Sequence, residues 1–443
     1  FSGYVRNAFS TKSPTVIEKN VAALDLGYCS VSHTMQITLD QKKEGVIFST
    51  GSKVLAMSAL DSGNDCSSGY PITPATKLME AMQAGIVKKR QSMLQADPTT
   101  PSHMLPIWLP ANHEESVFGT TLGMALAGRR VFCCSAEEGL AKGFQSALAP
   151  SLIYQVPFPL AVMMRMGPGT GRPTMTSQGG YAFIQNLAHG DINYPVIASS
   201  GHLDLAYLQM RHLINLTEAY HMGGVFVGDA YLDSFQSSLT IPQGLPLFER
   251  EYSTAAGLVK PHMFTSTGVS PLPHYRDSVA SVDSLLATNV FGQPDNDPVT
   301  LTALYRSSML KLLEDRKGVG PYLMRATGEE RPEIALIGWG TMDLVNDQAV
   351  LQGLDNGASM GSLDLYTIKP FPQRAVVNYL AGVGHKVVVV EMSMGQFSQD
   401  IQLCVQQANN QRLREGKPEL DFQVIPYFIG NRPTPQDIYS QVI

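Results

Sequence analysis

Three short segments carry residue types and spacings that can do chemistry. In Gly69-Tyr-Pro-Ile-Thr-Pro74, two prolines stiffen the backbone, and Thr73 falls where an apolar strand gives way to a helix read over Ala75 to Ala84. A hydroxyl beside the free amides of a helix start can hold a carboxylate or another anion, although the same pattern also makes an ordinary strand-to-helix turn. Asn112-His-Glu-Glu115 opens a helix that carries Gly119, Gly123 and Gly128. Small residues at such spacings let a backbone or a ring approach closely. A carboxylate at a helix start is usually only a partner of the helix dipole. Buried, it can hold a proton on a heterocycle nitrogen. Arg165-Met-Gly-Pro-Gly-Thr-Gly171 follows an apolar strand, with Pro173, Thr174 and Gln178 beyond. It lacks the Lys-Ser/Thr of a P-loop and the spacing of a dinucleotide fingerprint, and reads instead as a tight loop that presents Arg165 and Thr170 at a strand end.

The elements that must position these residues follow from the apolar runs. Arg130–Ser135, Phe158–Met164, Tyr194–Ser199 and Gly224–Gly228 read as buried strands, with helices to Ala149 and over Leu203–Met222 between them. Strands that are apolar throughout and separated by helices predict a parallel sheet covered on both faces. A second series begins near Arg331: strands at Glu333–Gly338, Leu363–Ile368, Val387–Val390 and Phe422–Phe428, with a helix over Asp343–Gly357. Between the series, Ser238 to Thr300 is rich in Pro, Gly, Ser and His with weak periodicity, followed by a helix from Val299 to about Arg316. The expected fold class is α/β, two doubly wound parallel-sheet domains joined by an irregular linker. The expected divisions are a basic N-terminal segment (1–50), a first domain (51–237), an irregular and helical linker (238–330) and a second domain (331–443). No GxGxxG follows a first strand, which argues against a Rossmann dehydrogenase.

Composition bounds the partners. The chain has 443 residues, of which 16% are charged and 44% hydrophobic, with a net charge of −6. The charged share is below the usual ~25%, which suits surface buried against other subunits or simply a large α/β chain. The acidic balance argues against a nucleic-acid polyanion as the main partner. The most apolar stretch, Ser151 to Met164, is broken by Pro157 and Pro159 and falls short of the ~20 residues a bilayer span needs. Five cysteines without CxxC or iron–sulfur spacing make no disulfide framework and point to a reducing compartment, the cytoplasm or an organelle matrix. Phe1 to Ile17 holds Arg6 and Lys12 but no acid, which suits the remainder of a targeting segment (the mitochondrial matrix being one destination), a short basic tail, or a fragment.

Together the three segments resemble the 2-oxoacid:ferredoxin oxidoreductase family, best the α subunit of the 2-oxoglutarate type, over nearly the whole chain. The YPITP signature of that family stands at Tyr70 to Pro74, and its R-x-GPSTG-x-PT loop at Arg165 to Thr174, with Gly169 in place of Ser. A GHGD-like turn stands at Ala188-His-Gly-Asp191; Gly338-Trp-Gly340, Ile368 to Pro372 and Val387 to Gln396, with its Glu391…Gly395-Gln396 ending, match the family's later domain; and Ile17 to Gly27 looks like the tail of its γ domain. The resemblance implies thiamine-diphosphate-dependent conversion of a 2-oxoacid and coenzyme A to an acyl-CoA, with electrons passed through iron–sulfur clusters to ferredoxin. It implies that Glu114 activates the cofactor's pyrimidine and that Tyr70, Thr73, Arg165 and Thr170 bind substrate, Arg165 also serving catalysis. It further implies that Ser135 and Gly139 lie near the cofactor. A buried Glu114 should have a raised pKa. The family's GDG…N pattern for Mg²⁺ is absent, since Gly228-Asp229-Ala230 lacks both the Gly and the Asn. No metal ligand is therefore assigned here; the diphosphate, Mg²⁺ and iron–sulfur sites are expected on a β-type partner and other subunits.

The sequence also departs from the family. The family's TSGPG loop reads Ser135-Ala-Glu-Glu-Gly139, a following Glu is Gln145, and an Asp after the loop's Gln is Gly180. Two carboxylates near a diphosphate or a substrate carboxylate would repel it. Two functions are therefore carried forward: an active α subunit, favoured by Thr73, Glu114 and Arg165, and a catalytically inactive relative kept as a structural subunit of a larger assembly, favoured by the altered loop and Gly180. The active reading expects Ser135–Gly139 to bend so that Glu137 and Glu138 reach water while Glu114 stays inside.

Overall fold

A computed structural model of the chain describes residues 2–29, 45–168, 171–187, 193–252, 267–269, 272, 297–428, 430 and 432–443. Residues 1–46 form one compact unit and 47–443 another. In the first, helices Ser2–Ala8 and Pro14–Cys29 are linked by an Arg6–Glu18 ion pair. The stretch Ile17–Gly27 lies in the second of these helices. The linker from residue 238 to 300 lies largely outside the described residues, as does the Ala188–Asp191 turn.

The larger unit is built on two five-stranded sheets, as the apolar runs predict. The first has the order Thr367–Lys369, Val196–Ala198, Gly223–Asp229, Phe158–Met164, Cys133–Ser135. Its two central strands pair in parallel from Phe158 opposite Gly223 to Met164 opposite Asp229, and every residue of both is buried. That burial on both faces is why these strands read as continuous apolar runs without alternation. The second sheet has the order Asp421–Pro426, Lys386–Glu391, Ile334–Trp339, Met360–Leu365, Met324–Gly328. Its last strand is antiparallel and the others parallel. The fold is thus the expected α/β pair of parallel-sheet layers.

Two elements differ from the sequence reading. The strand read at Leu363–Ile368 is two strands: Met360–Leu365 stays in the second sheet, and Thr367–Lys369 crosses to the edge of the first, antiparallel to Val196–Ala198. Lys369 fixes this crossing by donating to the Gln185 carbonyl at 3.0 Å and lying over the Tyr194 ring. The helix read as ending at Ala84 runs over Thr76–Ala96. Gly85 does not stop it; a Cβ there would strike the Leu60 side chain of helix Gly51–Asp61, so glycine serves close helix packing.

The sheets are joined by buried polar contacts. Gln178 donates from Nε2 to the Trp339 carbonyl at 2.8 Å, and its Oε1 accepts from the Met392 amide at 3.0 Å. Asp343 accepts from the Gly201 amide and the Tyr366 hydroxyl, both at 2.9 Å, and from the Ser200 hydroxyl. His202 and Asp347 pair at 2.9 Å across the same junction. Cys66, Cys133, Cys134 and Cys404 are buried free thiols, and burial pushes Cys134 up to about 12. Among the described residues no helix is long and apolar enough to cross a membrane.

Candidate active site

The strands end where the chemistry gathers. Strand Cys66–Gly69 is buried and pairs in parallel with Ile107–Pro110. Gly69 must be glycine, since a Cβ would overlap the Trp108 ring and lie 2.7 Å from Met79 Cγ. The chain then runs through Tyr70–Pro74 into helix Thr76–Ala96, leaving the Thr73 side chain exposed and its carbonyl turned to Arg165. Arg165 follows the buried strand Phe158–Met164 and is itself 6% exposed. Its Nη1 donates to the Thr73 carbonyl at 2.6 Å and its Nη2 to Glu138 Oε2 at 2.7 Å. Two segments about 90 residues apart in sequence, read separately as site candidates, thus meet directly.

Glu137 and Glu138 open the short helix Glu137–Gly143 after strand Cys133–Ser135. The expectation that both would bend to water is not met. Glu137 accepts from the Arg165 amide through both oxygens, at 3.1 and 3.3 Å, and Glu138 is drawn onto the Arg165 guanidinium. The physical reason is that a buried guanidinium needs a counter-charge, and the nearest carboxylates are on this turn. Burial pushes the Glu137 carboxyl up to about 7, with the neighbouring Glu138 charge adding and the amide bonds and Arg165 opposing.

Gly180 belongs to the same arrangement. A Cβ on Gly180 would lie 2.7 Å from the Met164 methyl and 3.3 Å from Glu137 Cγ. The two departures noted in the sequence, a carboxylate gained at 137 and one lost at 180, are therefore in contact. Glu137 fills space that an acidic side chain at 180 would contest, both sterically and by charge.

Glu114 is held on the other side of the same turn. It opens helix Glu114–Leu126 after His113, which caps the helix by accepting from the Ser116 amide at 3.3 Å. The Glu114 side chain is 13% exposed and its Oε2 lies 3.3 Å from Lys142 Nζ. It stays inside, as expected. Gly139 packs against it: a Cβ on Gly139 would lie 3.2 Å from Glu114 Cγ and 2.9 Å from Ser135 Cβ, and would overlap Ser135 Oγ. Ser135 Oγ is buried with no hydrogen-bond partner. Gly119 and Gly123 have no neighbour within 4 Å of a built Cβ among the described residues, so none of those uses the close approach they permit.

The residues thus form two clusters joined by the Ser135–Gly139 turn: Glu114, Ser135, Gly139 and Lys142 on one side, Thr73, Arg165, Glu137 and Glu138 on the other. A cavity of about 520 Å³ is lined by Arg165, Glu137 and Glu138 of the second cluster, with Phe183, Met394 and Phe428 as its apolar walls. It lies at the carboxyl ends of strands from both sheets, the usual place for a ligand in such folds. Tyr70 is half-buried against the core and does not line this cavity. Thr170 lies outside the described residues. Lys142 and Gln178 carry weight that the sequence reading did not give them; Lys142 sits four residues after Glu138, the spacing of a helical ion pair, yet its partner is Glu114. Asp229 caps helix Ala230–Ser234 and accepts from the Thr341 hydroxyl, a structural role.

A two-sheet α/β protein with its cavity at the strand ends, where an arginine and two carboxylates converge, belongs to the class of doubly wound proteins that hold a small ligand at the carboxyl ends of their strands. Residues 58–269 match the family model "Pyruvate flavodoxin/ferredoxin oxidoreductase, thiamine diP-bdg", and residues 332–420 match "Pyruvate:ferredoxin oxidoreductase core domain II". The chain belongs to the 2-oxoacid:ferredoxin oxidoreductase family. It is 23% identical over 398 residues to 2-oxoglutarate synthase subunit KorA of Methanothermobacter thermautotrophicus, covering 89% of this chain and 98% of that one. It is 25% identical over 356 residues to ketoisovalerate oxidoreductase subunit VorB of the same organism, covering 80% and 88%. The alpha subunit of 2-oxoacid:ferredoxin oxidoreductase 1 of Aeropyrum pernix is 23% identical over 374 residues, 81% of this chain and 56% of that one. The 2-oxoglutarate:ferredoxin oxidoreductase of Magnetococcus marinus has the same fold, with a TM-score of 0.80 at 19% identity over 100% of this chain and 73% of that one.

Proposed function

We propose that the chain is the α-type subunit of a 2-oxoacid:ferredoxin oxidoreductase, supplying the pyrimidine side of a thiamine diphosphate site that a β-type partner completes. 2-Oxoglutarate is the first substrate to test, as the relatives' names suggest. The observation that carries the reading is the hydrogen bond from Arg165 to Thr73, which makes one anion-recognising cluster of two family motifs. The residues on the Glu114 side fit the cofactor: a mostly buried carboxylate, a buried hydroxyl without a partner at Ser135, and a glycine where any side chain would intrude.

Bound thiamine diphosphate supplies a carbon nucleophile for the 2-oxo carbonyl. This chain's own part is to hold and move protons and to orient the substrate. Glu114 shares a proton with a ring nitrogen, and Lys142 fixes the carboxylate's position. The Ser135 hydroxyl is free to donate a further hydrogen bond. Arg165, backed by the Thr73 carbonyl, recognises a carboxylate. Glu137, with its carboxyl near 7, can exchange a proton at neutral pH. Mg²⁺, the diphosphate and the iron–sulfur clusters belong to partner subunits, and a ferredoxin-like protein takes the electrons.

The test is 2-oxoacid- and coenzyme-A-dependent dye reduction by the complex that copurifies with the chain. The isolated chain should not bind thiamine diphosphate at micromolar concentration, and calorimetry that finds such binding overturns the shared site. One observation favours a second reading, an inactive structural subunit: the Arg165 guanidinium is already engaged by Glu138. A purified complex with no β-type chain and no 2-oxoacid-dependent turnover supports it.

A further inference from the structure

The cavity floor holds a cation that this chain itself has partly neutralised. Arg165 spends Nη1 on Thr73 and Nη2 on Glu138, while its Nε is buried without a hydrogen-bond partner. Nε and Nη2 share one edge of the guanidinium, the edge on which a carboxylate can accept two parallel bonds. Glu138 takes only one of them. The two glutamates differ in freedom. Glu137 is pinned by the Arg165 amide and by the close packing of Gly180. Glu138 keeps 28% of its side chain exposed and has solvent to retreat to, whereas Arg165, at 6%, does not.

We infer that Glu138 is an internal competitor: its carboxylate occupies the place on Arg165 that an incoming carboxylate ligand takes, and so sets the cavity's affinity for small carboxylate anions. The exchange is one for one and breaks no covalent bond. Glu138 swings to water, and the ligand accepts from Nη2 and from the free Nε–H together. A ligand wins by trading a single charge-assisted hydrogen bond for a paired one. The choice of a 2-oxoacid as ligand rests on the proposed function; the competition at Arg165 does not.

The probe is 2-oxoglutarate, titrated by calorimetry into the full chain and into its Glu138→Gln and Glu138→Asp variants. Glu138→Gln keeps the shape and loses the charge, and should bind at least tenfold tighter than the wild type, about 1.4 kcal/mol. Glu138→Asp keeps the charge on a shorter arm and should fall between. Adding Arg165→Met to Glu138→Gln should abolish the gain. A ligand-independent measurement guards against weak binding: phenylglyoxal should modify Arg165 several-fold faster in Glu138→Gln, read by mass spectrometry. Equal affinities, or equal modification rates at Arg165 in proteins of equal melting temperature, overturn the inference. Its failure is separable from that of the proposed function. A gain in binding with no turnover in the complex sinks the function and keeps the competitor; turnover without any gain does the reverse.

Discussion

Gly139→Ala tests the packing that joins the two clusters. The new methyl would overlap Ser135 Oγ and lie 2.9 Å from Ser135 Cβ and 3.2 Å from Glu114 Cγ. Rotating the Ser135 hydroxyl removes the first overlap but not the second, and Ser135 is buried at the end of its strand. The helix Glu137–Gly143 must therefore shift. Overpacking of this kind costs about 1–3 kcal/mol. Replacing a helical glycine with alanine returns up to about 1 kcal/mol. The expected net loss is about 1–2 kcal/mol. Ser135→Ala alone should be close to neutral, because the hydroxyl it removes has no partner. In the double variant the hydroxyl overlap is gone and the Cβ contact remains, so about half of the loss should return, a coupling of at least ~0.5 kcal/mol. Urea unfolding of the four proteins reads all of these quantities. A Gly139→Ala protein as stable as the wild type, or strictly additive effects, would refute the packing argument.

The other expectations concern charge and junction contacts. Glu114→Gln should leave the fold intact and lower 2-oxoacid-dependent dye reduction of the complex by at least ~100-fold; a loss of only a few-fold would remove Glu114 from proton transfer. Burial raises the Glu137 carboxyl from 4.5 to about 7, so its stabilising contribution is full below pH 4.5 and is lost as the pH rises through 7. Glu137→Gln should therefore gain on the wild type between pH 5 and pH 8, on the order of 2–3 kcal/mol, and a difference that stays flat over that range would count against the buried placement. The Asp347 hydrogen bond holds His202 above its ordinary value, so the pair stabilises below about pH 6.5 and weakens as the pH climbs through the raised value. His202→Gln should accordingly cost more at pH 6 than at pH 9 by thermal unfolding, and an equal cost contradicts the pairing. Gln178→Leu leaves the Trp339 carbonyl and the Met392 amide without partners, a loss of about 2–4 kcal/mol; an unchanged melting temperature would show that the junction does not depend on it.

What could be read from the residues was what is local. Phe158–Met164 and Gly223–Asp229 are buried on both faces, so their unbroken apolar runs announced a parallel sheet. The motifs at Tyr70–Pro74 and Arg165–Thr174 were legible because each is contiguous. Their meeting was not, since the Arg165–Thr73 bond spans the fold. The outward bend expected of Glu137 and Glu138 treated them as charges seeking water; what decides their course is Arg165, which reaches the same turn from another strand. Gly180 looked like a lost carboxylate and is instead the space that Glu137 occupies. The helix read over Ala75 to Ala84 runs on to Ala96 through Gly85, a glycine kept for close contact with Leu60. The crossing of Thr367–Lys369 had no signal, because three residues have no periodicity to read.

That crossing has a mechanical consequence. The Ala198 amide donates to the Tyr366 carbonyl, and the three residues that follow are laced to the edge of the first sheet before the chain returns to the second. The two layers are thus sewn together by the backbone itself, close to the face where their strands end. Clamshell opening would tear a β-ladder, so the slot between them has fixed jambs. Among the described lining residues, Met394, 72% exposed, and the Glu138 side chain hang on that frame without being woven into it. Such exposed side chains rotate on the picosecond-to-nanosecond scale, far faster than the microsecond-to-millisecond swing of hinged domains that the ladder opposes.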